Sequence, residues 1–309
     1  MDLSIIIVNH NTKTFLEQLL MSLRKTVKKT RYEVIVVDNA SHDGSIEMVR
    51  RCFADVVLLR NDCNLGFSKA NNQAAQRANG EHLLFLNPDT VVNDHAIDEM
   101  VAFLGKRPDV GAVGCKLLNE DGSLQRSCGR FPSLLIELST RTLLSRIFPQ
   151  SPYFTRHKLA DWDYSSVRSV DWISGACLMV RKAVFDELAG FDENIFMFYD
   201  DVELCFRMRQ RGWDILFYPY VSVYHFHGGS WRQRREIPIK QNIVNALYYY
   251  RKHHSKLELA VLHVLLLLEI LLSFIFVVGW LSFQEPKSTT KSRLRGLTGG
   301  LQYLLFRRE

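Results

Sequence analysis

A chain of 309 residues that is 47% hydrophobic and 23% charged carries enough apolar material for one sizeable core and an appended segment, which excludes a disordered or fibrous polypeptide. The six cysteines, Cys52, Cys63, Cys115, Cys128, Cys177 and Cys205, form no C-x-x-C pair and no regular spacing, so neither a zinc ribbon nor a disulfide framework is expected and a reducing compartment fits. A net charge of +6 suits nucleic acid, an anionic membrane or a phosphorylated ligand; no nucleic-acid motif is visible, and basic residues flank a C-terminal apolar stretch, which points to lipid head groups.

The strand-like run LSIIIV (3–8) begins almost at once, with no basic leader, apolar stretch and cleavage site before it, so the body of the chain is not expected to be secreted. Similar runs follow at EVIVVD (33–38), DVVLL (55–59) and HLLFLN (82–87), with helix-compatible stretches between them. Continuous aliphatic runs separated by helices predict an α/β chain with a parallel sheet covered on both faces. In such sheets ligands sit beyond the carboxyl ends of the strands. That rule singles out Asn9, His10 and Asn11, then Asp38 and Asn39, then Asn87, Pro88 and Asp89.

From 111 to 133 the pattern reads strand, turn at Asp121-Gly122, strand and loop, and 134–168 shows no period. A Trp-bearing turn, a strand over 177–180 and a short helix from about 182 come next. FYDDVELCFRMRQRGW (198–213) predicts an amphipathic helix ended by Gly212, with Glu203 and Arg207 as an i,i+4 pair. One aspartate of Asp200-Asp201 accounts for a helix cap, which leaves its neighbour for chemistry beside the aromatic run at 196–199. In VYHFHGGSW (223–231), His225 and His227 would share one face of a strand and reach one site.

No G-x-G-x-x-G follows the first strand and no G-x-x-x-x-G-K-[ST] occurs. The phosphates of a nucleotide would then need another counter-charge, and a divalent metal on Asp89 is the expected one. AVLHVLLLLEILLSFIFVVGWLSF (260–283) is long enough as a helix to cross a hydrocarbon core of about 30 Å. His263 and Glu269 interrupt it, and both flanks are basic, so a spanning helix, an in-plane or re-entrant one, and a core or dimer helix all stay open.

Taken in order, IIIVNHNT, VVDNASHDGS, NLGFSKANN, FLNPDT, WISGACLMVRK, GFDENIFMFYDDVELCFRMRQRGW and HFHGGSW resemble the inverting family 2 glycosyltransferases of GT-A fold, especially the rhamnosyltransferase-like branch, over about residues 3–231. The resemblance implies a Rossmann-like mixed sheet with helices on both faces, in a domain expected over residues 1–255, and the apolar run with its basic flanks marks 256–309 as a membrane-associating helical segment. It implies that Asp38 contacts the nucleotide base, that Val8, Asn9 and Asn11 line the same pocket, and that Gly66 and Phe67 lie in a loop near the donor. Asp89 matches the last position of an Asp-X-Asp-type metal motif with Asn87 on its donor side, and His225 the distal histidine near metal or diphosphate. Trp172 and Gly175 flank donor sugar and acceptor, and Asp201 matches the catalytic base with Asp200 before it.

The implied reaction is transfer, with inversion, of a sugar from a nucleotide-sugar donor to a lipid-linked or glycan acceptor at the cytoplasmic face of a membrane. Mg2+ or Mn2+ is the implied cofactor, and rhamnose from dTDP-rhamnose is the leading donor. Two departures stand out: the metal motif Asn87-Pro88-Asp89 has one carboxylate rather than two, and the acid pair is Asp-Asp rather than Glu-Asp, which leaves a swap of roles open. Two alternatives remain. One is an inactive membrane-anchored nucleotide-sugar or glycan-binding protein. The other is a sugar nucleotidyltransferase, which would carry a glycine-rich loop where VNHNTKTF has none.

Overall fold

The four aliphatic runs form β1 (Leu3–Asn9), β2 (Tyr32–Asn39), β3 (Val57–Asn61) and β4 (His82–Leu86), paired in parallel in the order β3-β2-β1-β4. Ile5, Ile6 and Ile7 are all fully buried, so successive side chains on both faces of β1 are covered, as its unbroken aliphatic pattern requires. The covering comes from the crossover helices α1 (Lys13–Thr26), α2 (Ser45–Cys52) and α3 (Gly66–Ala75). In α1, Leu16, Leu19, Leu20 and Leu23 recur at helical spacing and all face the core.

Beyond β4 the chain lays down β5 (Thr90–Val92), α4 (Ala96–Gly105), β6 (Val110–Leu118), β7 (Leu124–Gln125), β8 (Cys128–Gly129), α5 (Leu134–Arg141), β9 (Arg168–Ser169), β10 (Trp172–Ile173), β11 (Cys177–Arg181), α6 (Lys182–Glu187), α7 (Asp200–Gln210) and β12 (Asp214–His225). The main sheet order is β3-β2-β1-β4-β11-β6-β12-β5, and β11 runs antiparallel to both of its neighbours, so the sheet is mixed, as the resemblance implies, rather than parallel throughout as the aliphatic runs alone suggest. This reversal decides where the site forms. Cys177, which opens β11, pairs with Leu86 at the end of β4, and His225, which closes β12, pairs with Thr90. The start of β11 and the ends of β4 and β12 therefore meet on one edge.

The structure, a computed structural model, describes residues 1–141, 159, 162–226, 236–276 and 287–306. His227, the remainder of 227–231 and residues 277–283 of the apolar stretch lie outside them. Two compact units are present: residues 1–131 with 162–230, which hold the sheet, and residues 132–161 with 231–309. The second contains α5, α8 (Glu236–His253), α9 (Lys256–Phe276) and α10 (Lys287–Phe306). Within it α8 buries Ile243, Ala246, Leu247, Tyr249 and Tyr250. Helix α9 is long and apolar enough, by length and composition alone, to cross a membrane.

The start of α7 differs from the sequence expectation. Neither aspartate caps the helix: Tyr199 occupies the N-cap position, no side chain makes a cap hydrogen bond, and Asp200 and Asp201 are the first two helical residues. Phe198 and Tyr199 both adopt left-handed backbone, with φ of 64° and 66°. A side-chain cap needs an extended residue whose oxygen reaches the next amides, and here the chain curls into the helix before either carboxylate arrives. The Glu203–Arg207 pair forms as expected at 2.7 Å, but Glu203 is wholly buried. Arg207 also donates to the carbonyls of Leu188 and Gly190, which ties α7 to the turn after α6.

Candidate active site

At the carboxyl ends of β1 and β2, Asn9 stands in register with Asp38. Asn9 Nδ2 donates to Asp38 Oδ1 at 2.8 Å and to Ser41 Oγ at 3.0 Å, and the Ser41 amide donates to Asp38 Oδ2 at 2.9 Å. Thr12 Oγ1 donates to Asn9 Oδ1 at 2.6 Å. Asn9 and Asp38 are buried, so these donors offset the cost of keeping a carboxylate out of water. Asn9 therefore orients Asp38, while Val8 is half-buried and Asn11 exposed at the same strand end. Asn11 is fixed by its neighbours in turn: its amide donates to Ser41 Oγ at 2.9 Å and its Oδ1 accepts from the His42 amide at 2.8 Å. Ser41 was not singled out from the sequence, because a serine in a turn has many ordinary reasons to be there.

A second group gathers around Gly175. Asn39 Nδ2 donates to the Gly66 carbonyl at 3.0 Å, and the Phe67 amide donates to the Phe196 carbonyl at 2.7 Å. The loop that starts α3 is thereby strapped to the segment leading into α7. Gly66 has φ of +84°, and a Cβ there would lie 2.4 Å from the Phe196 oxygen. Gly66→Ala is expected to cost about 1–3 kcal/mol from the backbone conformation alone, with the clash added. Denaturant melts would read the loss, and a midpoint equal to the parent's would show that the loop can move away from Phe196.

Gly175 closes the other side. A Cβ on it would meet the Phe67 ring at 3.1 Å and Asp200 Oδ2 at 3.9 Å, and its amide donates to Asp201 Oδ2 at 2.9 Å. The Val202 amide donates to Asp201 Oδ1 at 2.8 Å. Asp200 is only 5% exposed, whereas Asp201 is half-buried. Burial, and then the charge of Asp201, hold the Asp200 carboxyl well above the usual carboxylate range. Burial raises Asp201 too, against the amides of Gly175 and Val202, which favour its ionised form. Trp172 sits on β10, where its indole N–H is committed to the Arg130 carbonyl at 2.9 Å and anchors the turn before Gly175.

The third group is at the β4–β5 turn. The Asn87 amide donates to the Ala176 carbonyl at 3.1 Å, which fastens this turn to the residue after Gly175. The Phe226 amide donates to the Asp89 carbonyl at 2.9 Å, and His225 Nε2 lies 3.4 Å from Asp89 Oδ1 and 3.4 Å from Asn87 Nδ2. His225 Nδ1 is 2.7 Å from Gln125 Oε1. Gln125 directs its Nε2 to Asn119 Oδ1 at 2.9 Å and towards the His225 carbonyl at 3.4 Å, so its oxygen faces the ring and Nδ1 carries the proton. Nε2 is left facing both Asp89 Oδ1 and Asn87 Nδ2, which sets an imidazole nitrogen and a carboxylate oxygen side by side. Imidazole and carboxylate suit a divalent ion, and among the described residues no third His, Cys, Asp or Glu joins them. Gln125 escaped the sequence reading because β7 brings it to a residue far along the chain.

Comparison with known proteins identifies the family. A family model described as glycosyltransferase like family 2 matches residues 2–237. An N-acetylglucosaminyl-diphospho-decaprenol L-rhamnosyltransferase of Mycobacterium tuberculosis is 29% identical over 239 residues, covering 74% of this chain and 77% of that protein. The rhamnosyltransferase WbbL of Escherichia coli K12 is 25% identical over 230 residues, covering 72% and 82%. Among solved structures, a mannosyltransferase from Pyrobaculum calidifontis in complex with GDP-Man and Mn2+ superposes with a TM-score of 0.55 at 19% identity, over 99% of this chain and 88% of that one. That likeness shows the fold, and it is the GT-A sheet expected from the sequence.

Proposed function

The chain belongs to glycosyltransferase-like family 2 and is a glycosyltransferase, and from that premise we propose that it transfers L-rhamnose from dTDP-rhamnose, with inversion, to a lipid-linked or polysaccharide acceptor at the cytoplasmic face of a membrane. The rhamnosyltransferase names of relatives aligned over most of their length support the sugar, and the diphospho-decaprenol in the name of the M. tuberculosis relative supports a lipid-linked acceptor. Membrane contact is assigned to residues 256–309, where α9 lies. A sugar nucleotidyltransferase is set aside by the family.

The observation that carries the reaction is the acid pair beside Gly175. Asp201 is less deeply buried than Asp200, and two backbone amides orient its carboxylate. It takes the proton of the acceptor hydroxyl as that oxygen attacks the anomeric carbon. The bond to the diphosphate oxygen breaks on the opposite face, the nucleoside diphosphate departs with the electron pair, and the configuration inverts. Asp200 is the more deeply buried partner and is assigned to support Asp201. Asp38, Asn11 and Val8 are assigned to the nucleotide, and Gly66, Phe67, Asn87, Trp172 and Gly175 to the donor side. A divalent cation, Mg2+ or Mn2+, held by Asp89 and His225 would supply positive charge for the departing diphosphate.

Incubating the full chain with dTDP-rhamnose and a polyprenyl-diphosphate-linked acceptor, with UDP-N-acetylglucosamine and GDP-mannose as competitors, tests the proposal. Rhamnosyl product of inverted anomeric configuration is expected by NMR. Preference for another nucleotide sugar would overturn the donor, and retained configuration would overturn the single displacement. A third expected result concerns Gln125: Gln125→Leu frees the His225 ring and should weaken Mn2+ affinity by about 10–100-fold, read by EPR of free Mn2+ in the presence of nucleoside diphosphate. Unchanged affinity would mean that His225 is oriented by other contacts.

A further inference from the structure

Helix α9 is apolar on two opposite sides, one packed on the protein and one exposed, unlike a helix at a protein–water boundary, whose exposed side is polar. With 3.6 residues per turn, Leu262, Leu266 and Ile270 mark one side, and each is at most 1% exposed. The opposite side carries Leu257, Val261, Val264, Leu268, Leu271 and Ile275 at intervals of three and four, between 38% and 75% exposed. No charged or hydrogen-bonding side chain interrupts that face.

The polar residues of the same helix are accounted for on its other flanks. Glu269 accepts from Arg141 Nη1 at 2.7 Å, and Arg141 is also paired with Glu137, which is buried on α5. His263 Nδ1 bonds the Leu259 carbonyl at 2.8 Å. The inner side of α9 packs on α5, α8 and α10, and the last two carry Lys240, Asn245, Lys291 and Arg295. A helix crossing a bilayer needs apolar surroundings all round or partners whose outer sides are apolar too, and α8 and α10 expose Lys240, Lys291 and Arg295. Exposed Arg251, Lys252 and Lys256 stand at the end of α8 and the start of α9, next to the apolar face and complementary to anionic head groups.

We propose that α9 lies in the plane of an anionic bilayer, with its stripe from Leu257 to Ile275 in the acyl boundary and Arg251, Lys252 and Lys256 at the head groups, while the Glu269–Arg141 pair keeps its inner face on the protein. The inference rests on the membrane association proposed above and selects one of the three dispositions that the sequence leaves open. A lipid-linked acceptor then reaches the enzyme along the surface on which it is docked, with no segment of α9 on the far side.

The test uses the full chain with the exposed Cys52 and Cys63 replaced by serine, and single nitroxide-labelled cysteines introduced in turn at the six stripe positions. Bound to vesicles of phosphatidylglycerol and phosphatidylcholine, all six labels are expected at one shallow depth, measured by collision with oxygen against a water-soluble nickel chelate. Omitting phosphatidylglycerol is expected to weaken vesicle binding at least about tenfold. A depth profile that is greatest near Val264 to Leu268 and falls towards Leu257 and Ile275 means a spanning helix and overturns the in-plane proposal while leaving membrane association intact. Spin–spin broadening without lipid, in a chain that light scattering shows to be dimeric, means that a second copy covers the face and also overturns it. A chain that does not float with vesicles at all removes the membrane association itself, and transfer to a water-soluble acceptor would show that the glycosyltransferase reading survives.

Discussion

An Asp201→Asn chain is expected to turn over about 10²- to 10⁴-fold more slowly than the parent, the usual worth of a positioned general base, with nucleoside-diphosphate affinity nearly unchanged. The amide keeps the size of the side chain, and its oxygen can still accept from the Gly175 amide, which now donates to Asp201 Oδ2 at 2.9 Å. It cannot take a proton from the acceptor. Asp200→Asn should cost less activity and change the pH dependence of stability. Because the folded chain holds the Asp200 carboxyl well above its ordinary value of 3.8, the folded state binds more protons than the unfolded one between that value and the raised one. The stability associated with protonated Asp200 is therefore full below the ordinary value and lost as pH rises through the raised one. Asparagine does not ionise, so Asp200→Asn should melt higher than the parent at neutral and alkaline pH, with the gap closing in acid. Turnover, donor titration and melts over a pH series separate the roles. Near-parental turnover in Asp201→Asn, together with a large loss in Asp200→Asn, would exchange the two assignments.

Asp89→Ala is expected to remove most metal-stimulated activity, a loss on the order of 10²-fold or more for a cation that supplies several kcal/mol of charge stabilisation. The backbone should survive, because the Asp89 carbonyl, which accepts from the Phe226 amide, is kept. What goes is the carboxylate that faces His225. Titrating a nucleoside diphosphate with and without Mn2+ should therefore show metal-enhanced binding in the parent and none in the variant, at similar melting temperatures. Persistence of the full metal enhancement would take Asp89 out of the site. A fall in both metal-free and metal-bound affinity would point instead to a displaced β4–β5 turn.

The sequence by itself determined the elements whose signals act within a few residues. Unbroken aliphatic runs made β1, β2 and β4, helical spacing of leucines made α1, and Gly122, with φ of +79°, turned the chain between β6 and β7. The sequence also placed Asn9, Asp38, Asn87 and Asp89 at or just after strand ends without any coordinates, because strand polarity is written in the chain. What only the tertiary structure decided depends on partners distant in sequence. The antiparallel insertion of β11 between β4 and β6 brought Gly175 to Asp201, and the short β7 brought Gln125 to His225. The left-handed backbone at Phe198 and Tyr199 moved both aspartates past the cap, a change for which no residue-type rule gave warning, since aromatic side chains disfavour that conformation and only surrounding contacts hold it. In α9 the hydrophobic period was blind: a helix apolar on most sides has no preferred direction until its few polar residues find partners. Arg141 on α5, itself largely buried and paired with Glu137, holds Glu269, and that pairing outweighs the small difference between one leucine face and another in setting which apolar face is turned outward.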